Sequence, residues 1–295
     1  MKKIAFLTSA NYQSVIKNSP NFVDELELLK PVFTELGVEL VSFDWRDKAV
    51  DLNSFAVIIP KACWDYSEHS LEFETYLKAL IGKKRVCQND AATVLWNMRK
   101  NYLLDLEKKS LSVAKLRLIP QGNKIDLKNF TEGFEPSDLM VFKPSISGGA
   151  RNTKRCRAQD LGHETALLRE ILKDSDLIIQ PYFDEIAAHG EYSYLFFHGQ
   201  FSHAVLKKPA SGDFRVQPTY GAKTLSHQAS SLEIAEAFRY VQATHPLPAY
   251  ARVDGFKREG RFQLVELELI EPYLFFEHAD SGAPLRFARA ILSKL

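Results

Sequence analysis

Much that would announce a site is missing from this chain. It has three cysteines, Cys63, Cys87 and Cys156, and their wide spacing fits neither a zinc site nor a disulfide framework. That points to a reducing, cytoplasmic setting. No apolar run approaches the roughly 20 residues that a membrane-spanning helix needs. The opening MKKIAFLTSANY lacks the pattern of a signal peptide and reads instead as a first buried strand. An excess of either charge is also absent. The 38 Lys and Arg against 37 Asp and Glu give no electrostatic case for nucleic acid or an anionic membrane as partner. G-x-G-x-x-G, the Walker pattern and G-x-S-x-G do not occur, so dinucleotide, P-loop and serine-nucleophile readings are unsupported. There are no internal repeats.

What remains is an ordinary globular composition over 295 residues, enough for two or three subdomains. Residues 3–8, 38–43 and 55–59 are predicted strands, rich in β-branched and aromatic residues. Leu26, Leu29, Val32, Phe33 and Leu36 recur at helical spacing before Gly37, with Pro31 implying a kink or split. A further helix is expected over 70–81, with Ser70 as N-cap and Leu71, Phe73, Leu77 and Leu80 facing the core. This alternation suggests a small parallel α/β domain over residues 1–90. Trp64, Asp65 and Tyr66 follow the third strand, where ligands dock in such sheets, although packing at the domain edge serves equally.

From 89 the chain is expected to be helical to about Ser110, making Lys100 an exposed helix lysine unless a site recruits it. Strand 139–143 carries Lys143 into the loop Ser145–Ala150, whose Gly148-Gly149 suits either a hairpin turn or close approach to phosphate. A helix over 159–173 and strand 177–181 lead to a connector, QPYFDE. Strands are then expected over 190–199, 200–208 and 213–217, turning at Gly199-Gln200 and bringing Lys207 and Arg215 toward a common anion. Helices over 229–243 and 285–294 flank a last hairpin, 250–276.

That hairpin is the most informative stretch. Side chains two apart on a strand share a face, so Arg252 pairs in direction with Asp254, and Glu266 with Glu268. Val265, Leu267 and Leu269 are expected on the opposite face. An odd-length loop using Gly260 would set Glu266 across from Arg252. Three carboxylates on one face need compensation, either from solvent or from a hard cation such as Mg²⁺. With Lys100, Lys143, Lys207 and Arg215 upstream, the inventory is that of a triphosphate site.

In order and spacing these segments resemble the ATP-grasp superfamily. More narrowly, they are similar to the glutathione-synthetase-like proteins that include the O-ureido-serine cyclo-ligase of cycloserine biosynthesis. The likeness runs through WDY (64–66), WNMRKNYLLDLE (96–107), FKPSISGGARNT (142–153), IIQPYFDEI (178–186), GEYS (190–193), GDFRVQ (212–217), ARVD (251–254) and VELELIEPYLF (265–275). It implies an α/β chain, α+β in its C-terminal lobes. A Rossmann-like pre-ATP-grasp domain (1–90) would precede a central lobe (91–182) and a C-terminal lobe with the metal site (183–295). Lys100 and Lys143 would contact phosphates and Gly148-Gly149 would close over them. Gln180, Tyr182 and Phe183 would form the adenine-reading hinge, and Glu191 would bind the ribose. Lys207, Arg215 and Arg252 would act at the transferred phosphate, and Asp254, Glu266 and Glu268 would bind metal.

Glu268 stands where the superfamily usually has asparagine, which favours the narrower subgroup. Glu271, before Pro272, faces differently by strand parity and is the lesser candidate, with holding the loop as its alternative role.

The resemblance therefore implies an ATP-dependent carboxylate–amine or intramolecular cyclising ligase acting on a small amino-acid-like substrate. ATP and Mg²⁺ are its cofactors, with two ions expected and Mn²⁺ as a substitute. A small-molecule kinase and a non-catalytic nucleotide-binding protein are the alternatives. Oligomeric state is open, a homodimer being one arrangement. His189, His198 and His203 are expected to be structural.

Overall fold

The computed structural model describes residues 1–19, 22–217 and 220–295. The first sheet is built from β1 (Lys2–Thr8), β2 (Val38–Asp44) and β3 (Val57–Ala62), all parallel in the order β2-β1-β3. Around it lie α1 (Tyr12–Lys17), α2 (Glu25–Glu35) and α3 (Ser70–Gly82). Asp24 caps α2 by accepting from the backbone N–H groups of Leu26 and Glu27. Pro31 lies inside α2 without splitting it. In α3 the cap position falls on His69 instead of Ser70. Leu71 points to solvent, so its core is Phe73, Leu77 and Leu80.

The helical stretch expected to run on to Ser110 is broken. α4 (Ala91–Asn97) and α5 (Tyr102–Lys108) are separated by a turn in which the Lys100 amide donates to the Ser145 carbonyl at 2.9 Å. The chain then forms β4 (Arg117–Ile119), α6 (Leu127–Phe130), β5 (Leu139–Pro144), β6 (Lys154–Arg157), α7 (Thr165–Asp174) and β7 (Leu177–Pro181). Its strands make an antiparallel sheet in the order β4-β7-β5-β6, backed by Leu168, Ile171 and Leu172 of α7.

After α8 (Asp184–His189) come β8 (Glu191–Phe197), β9 (Gln200–Lys208), β10 (Lys223–His227), α9 (Ser231–Gln242), β11 (Tyr250–Arg258), β12 (Arg261–Glu268) and α10 (Ala283–Leu292). The third sheet is antiparallel, in the order β10-β9-β8-β11-β12. Its back face packs Val253 and Leu267 against Ala237 and Val241 of α9. α10 returns to the first sheet, where Phe287 and Ile291 join Ile4 and Leu29 in one core.

Residues 213–217 are not the expected strand. The Asp213 carboxylate accepts from the Phe214 and Arg215 amides, a local turn that competes with ladder pairing. β10 takes the edge position in their place. The β8–β9 turn sits at His198-Gly199, both at positive φ, one residue earlier than expected.

The hairpin register differs from expectation in an instructive way. Its turn is the two-residue Glu259-Gly260, both at positive φ, a geometry suited to the twist of paired strands. Carried on unchanged, that register would set Val265 opposite Asp254 and send Glu266 and Glu268 to the back face. A bulge intervenes: Gly255 pairs with Leu264, but Asp254 pairs with Glu266 and Arg252 with Glu268. Leu264 and Leu267 therefore share the back core, while Val265 turns toward Phe183 and Phe256 and away from the expected Leu267 face.

Gly255 is what lets the strands approach here. A Cβ at that position would lie 2.2 Å from the Gln263 carbonyl oxygen and 2.5 Å from the Phe262 ring. Gly255→Ala is expected to cost about 1–3 kcal/mol, the usual range for overpacking. A urea unfolding midpoint equal to that of the parent chain would contradict this account of the bulge.

Candidate active site

β12 is an edge strand, and its outer side is covered by the broken helix pair. The Asn97 side chain donates to the Leu267 carbonyl at 2.8 Å and accepts from the Leu269 amide at 3.0 Å. The Tyr102 hydroxyl accepts from the Leu267 amide at 2.8 Å, and the Ala114 amide donates to the Leu264 carbonyl. These bonds satisfy backbone groups that an open edge would leave bare. They also hold the turn between α4 and α5 against the acidic strand. Lys100, buried and not solvated, therefore donates to the Ser147 carbonyl (2.8 Å) and hydroxyl (3.3 Å) and pairs with Glu266 at 3.1 Å. One lysine ties the glycine loop to the carboxylate face.

At the centre of that face Arg252 holds both Asp254 oxygens through Nε at 3.0 Å. It also bonds Glu268 and donates to the Tyr273 carbonyl at 3.0 Å. Lys207 bridges Glu191 and Asp254, reaching the latter at 3.0 Å. Lys100, Lys143, Gly148, Gly149, Gln180, Tyr182, Phe183, Glu191, Lys207, Arg215, Arg252, Asp254, Glu266 and Glu268 all line one cleft of about 410 Å³. Arg215 reaches it from a loop, paired with Asp213 at 2.8 Å and lying over the Tyr220 ring at 3.5 Å. It shares no strand neighbourhood with Lys207. Tyr182 lies under the Arg155 guanidinium, and Phe183 packs on Phe256. Gln180 is buried. Trp64 and Tyr66 line the cleft, but Asp65 does not, because it accepts from the Trp45 indole at 2.8 Å and pairs with Arg46. His203 is structural, bonded to the Leu274 carbonyl.

Charge is unevenly balanced. Burial opposes ionisation of Asp254, but Arg252 and Lys207 outweigh it and hold the carboxyl at about 2. Burial raises Glu268 to about 7; Arg252 opposes the rise, whereas Glu266 and Asp254 reinforce it. Glu271 is raised to about 8 by burial and then by Glu268 and Glu266. Lys143 is depressed to about 8 by burial and by Lys100.

Among the described residues no three acidic, His or Cys side chains form a ready metal cluster, and Arg252, Lys207 and Lys100 pair with Asp254, Glu266 and Glu268. The expected ligand trio is thus ion-paired in this structure. The donors still fit a hard cation. Glu266 and Glu268 present carboxylate oxygens, the hard donors such a cation takes, on one strand face beside Asp254.

A carboxylate whose native pKa is raised binds more protons folded than unfolded. Glu268 and Glu271 therefore impose a stability penalty that is absent below about 4.5 and grows as pH rises through 7 and 8. Urea midpoints at pH 5.5 and 8.0 are expected to fall more with pH in the parent chain than in Glu268→Gln. Equal slopes would contradict the assignment.

Residues 4–88 match the family model described as the N-terminal domain of D-cycloserine synthetase DcsG. The cycloserine biosynthesis protein DcsG of Streptomyces lavendulae is 26% identical over 273 residues, covering 88% of this chain and 90% of that protein. The crystal structure of D-cycloserine synthetase DcsG superposes with a TM-score of 0.85 at 23% identity, covering 99% of each chain. D-alanine–D-alanine ligase from Bacillus anthracis, complexed with ATP, gives 0.70 at 16% identity over 99% of this chain and 97% of that one. The ATP-grasp ligase PsnB, complexed with a minimal precursor, gives 0.66 at 14% over 100% and 99%.

The fold is ATP-grasp.

Within that ATP-grasp frame, sequence reasoning undervalued two features of the cleft. Strand parity placed Glu271 aside, but β12 ends at Glu268, so parity no longer governs a residue three positions on, and Glu271 faces the cleft. Phe22, Tyr273 and Phe275 form an aromatic wall that was assigned no role, although Tyr273 and Phe275 fall within VELELIEPYLF. Phe22 stacks on Tyr273 at 4.4 Å, and the Tyr273 hydroxyl accepts from the Val23 amide at 2.7 Å. Its only signal was the aromatic run YLFF after Pro272.

Proposed function

We propose that this chain is an ATP-dependent ligase that joins a small carboxylate to an amine, on another molecule or on the same one, through an acylphosphate. The observation that carries the reading is the cleft itself: an acidic strand face, five buried or half-buried cations and a glycine loop converge in an ATP-grasp fold. In the reaction a carboxylate oxygen attacks the γ-phosphorus and the bond to ADP breaks. The amine nitrogen then attacks the acyl carbon and phosphate leaves, its proton passing to the leaving phosphate or to solvent.

The chain's part is to position and to offset charge. Lys100 and Lys143 would hold phosphates, and the Gly148-Gly149 loop would approach them closely. Gln180, Tyr182 and Phe183 would bound the base, and Glu191 the ribose. Arg252 would face the transferred phosphoryl group, aided by Lys207 and Arg215. Glu266 and Glu268 would hold Mg²⁺, with Asp254 joining as Arg252 turns to the phosphate. Bound there, the metal would supply positive charge to the phosphate oxygens; two ions are expected, and Mn²⁺ would substitute. The sheets suggest lobes over 1–90, 91–182 and 183–295. ATP use and three free cysteines fit a cytoplasmic setting.

Similarity to a D-cycloserine synthetase favours the intramolecular version. The test is a screen of amino acids and small carboxylates for ADP release with Mg·ATP, run with hydroxylamine as trap. A hydroxamate is the expected product. ADP release with a stable phosphorylated hydroxyl and no hydroxamate would make the chain a kinase.

A further inference from the structure

We propose that Glu25 and His203 are positioning residues for phosphoryl transfer: they clamp the Leu274 peptide at its two ends and so fix Arg252. Neither of them lines the cleft. The proposal rests on the role given to Arg252 in the reading above and extends it to two residues that act through another.

Beyond Glu268 the chain leaves the sheet, and residues 269–275 follow the cleft wall without forming a strand or helix. The Tyr273 carbonyl accepts from Arg252 at 3.0 Å, and the Phe275 ring lies 5.6 Å from the guanidinium centre. Among the described residues these are the partners of Arg252 that are not carboxylates. A cation held by Asp254 and Glu268 would loosen their grip on Arg252 and leave Tyr273 and Phe275 to aim it.

Leu274 lies between those two partners, and both ends of it are held. Its N–H donates to Glu25 Oε1 at 2.6 Å, and its carbonyl accepts from His203 Nε2 at 2.7 Å. Glu25 comes from α2, beside the first sheet, and His203 from β9 of the third. The other Glu25 oxygen takes the ammonium of Lys61, a residue of β3, at 2.7 Å, and both side chains are buried. Burial lowers His203 to about 4 and keeps the imidazole neutral, so Nε2 carries the proton given to the carbonyl. Nδ1 is then free to accept from the Ser202 hydroxyl at 3.0 Å. Phe275 follows at a φ of +52°, a backbone conformation that persists in a bulky residue only where its surroundings over-determine it.

Stability alone does not call for this arrangement. A buried ion pair commonly adds little, and apolar residues of similar volume often serve a core as well or better. What an apolar residue at position 25 could not do is accept from the Leu274 amide. Left without a partner in the interior, that amide would draw the segment toward another acceptor or toward water, and Tyr273 and Phe275 would move with it.

The experiment compares two double variants that both remove the buried charges. Glu25→Gln with Lys61→Met keeps a side-chain oxygen for the Leu274 amide, whereas Glu25→Leu with Lys61→Met does not. Calorimetry measures the affinity of the full chain for Mg·ADP with and without aluminium fluoride, which completes a mimic of the transferring phosphoryl group. Urea unfolding on the same preparations reports stability. The parent chain and the first double variant are expected to gain equally from the fluoride. The second is expected to lose at least ~10-fold of that gain while binding Mg·ADP alone as the parent does, since a small misplacement of a reacting-centre group is costly. His203→Gln and His203→Leu, which keep and remove a donor for the Leu274 carbonyl, should divide in the same way. Equal gain in both double variants, equal loss in both, or a loss as large for Mg·ADP alone would overturn the proposal. If the double variants fail to fold, the His203 pair decides by the same criteria. No gain from fluoride in the parent chain would sink the phosphoryl-transfer reading and the proposal with it. A gain that divides the variants as expected, with no acid supporting ADP release, would uphold the clamp and remove the ligase reading alone.

Discussion

Asp254→Asn is expected to lower Mg·ATP turnover by at least ~10³-fold and to lower the unfolding midpoint as well. Both effects come from one arrangement. Asp254 is nearly inaccessible and holds Arg252 and Lys207, themselves buried, in place. Asparagine has nearly the same shape but no charge, so it leaves two cations in a low-dielectric interior with Glu191 and Glu268 as their remaining partners. Breaking a buried pair in this way typically costs about 3–5 kcal/mol. The catalytic loss follows because Arg252 would no longer be aimed at the transferred phosphoryl group and the metal face would lose a donor. The loss of one preorganised electrostatic group is typically worth 10²–10³ in rate, and here roughly two functions fall together. Steady-state kinetics and urea unfolding on the same preparation check both parts. A variant with near-parental turnover would remove Asp254 from the site, whatever its stability.

Lys100→Met is expected to be the next most damaging change, costing about 10²–10³ in kcat/KM for ATP. Methionine is one heavy atom shorter than lysine and keeps most of its packing, so the fold should persist. What disappears is the ammonium that bonds the Ser147 carbonyl and hydroxyl and pairs with Glu266. The glycine loop then loses its tie to the acidic strand, and ATP meets one cation fewer. The loss should appear largely in KM for ATP, with limited proteolysis showing faster cleavage within 145–150. Parental KM together with parental cleavage would contradict the tie.

These two residues show what was legible in the sequence and what was not. Asp254 could be placed from the alternation of ARVD alone, since Arg252 and Asp254 must share a face of any strand. Lys100 could not. Continuous helical periodicity through WNMRKNYLL made it look solvated, whereas the helix breaks there, with the Lys100 amide on the Ser145 carbonyl and the flanking Asn97 and Tyr102 side chains on the backbone of β12. Local propensity has no access to a bond formed 170 residues away. The faces of Glu266 and Glu268 were read correctly from i,i+2 spacing within the strand, but their alignment with Asp254 depends on a bulge. The combination of Gly255 with the extra Val265 reveals that bulge only once the turn length is known. Residues 213–217 were misread for the opposite reason: β-prone Phe214 and Val216 were outweighed by the Asp213 side chain capping its own backbone. The parallel first sheet, and strands β8, β9, β11 and β12 of the C-terminal sheet with their covering helix, were recoverable because their hydrophobic periods are long and consistent, whereas the edge strand β10 was not expected.

As the metal end of an ATP site, the carboxylate face of β11 and β12 would couple Mg²⁺ binding to ATP binding. Calorimetric titration of ATP into the parent chain and into the Glu266→Gln, Glu268→Gln double variant, with and without Mg²⁺, tests that claim directly. The parent chain should bind ATP at least ~10-fold more tightly with Mg²⁺, and the double variant should lose that difference. Equal affinity in the parent chain with and without the metal, or an undiminished Mg²⁺ effect in the double variant, would contradict it.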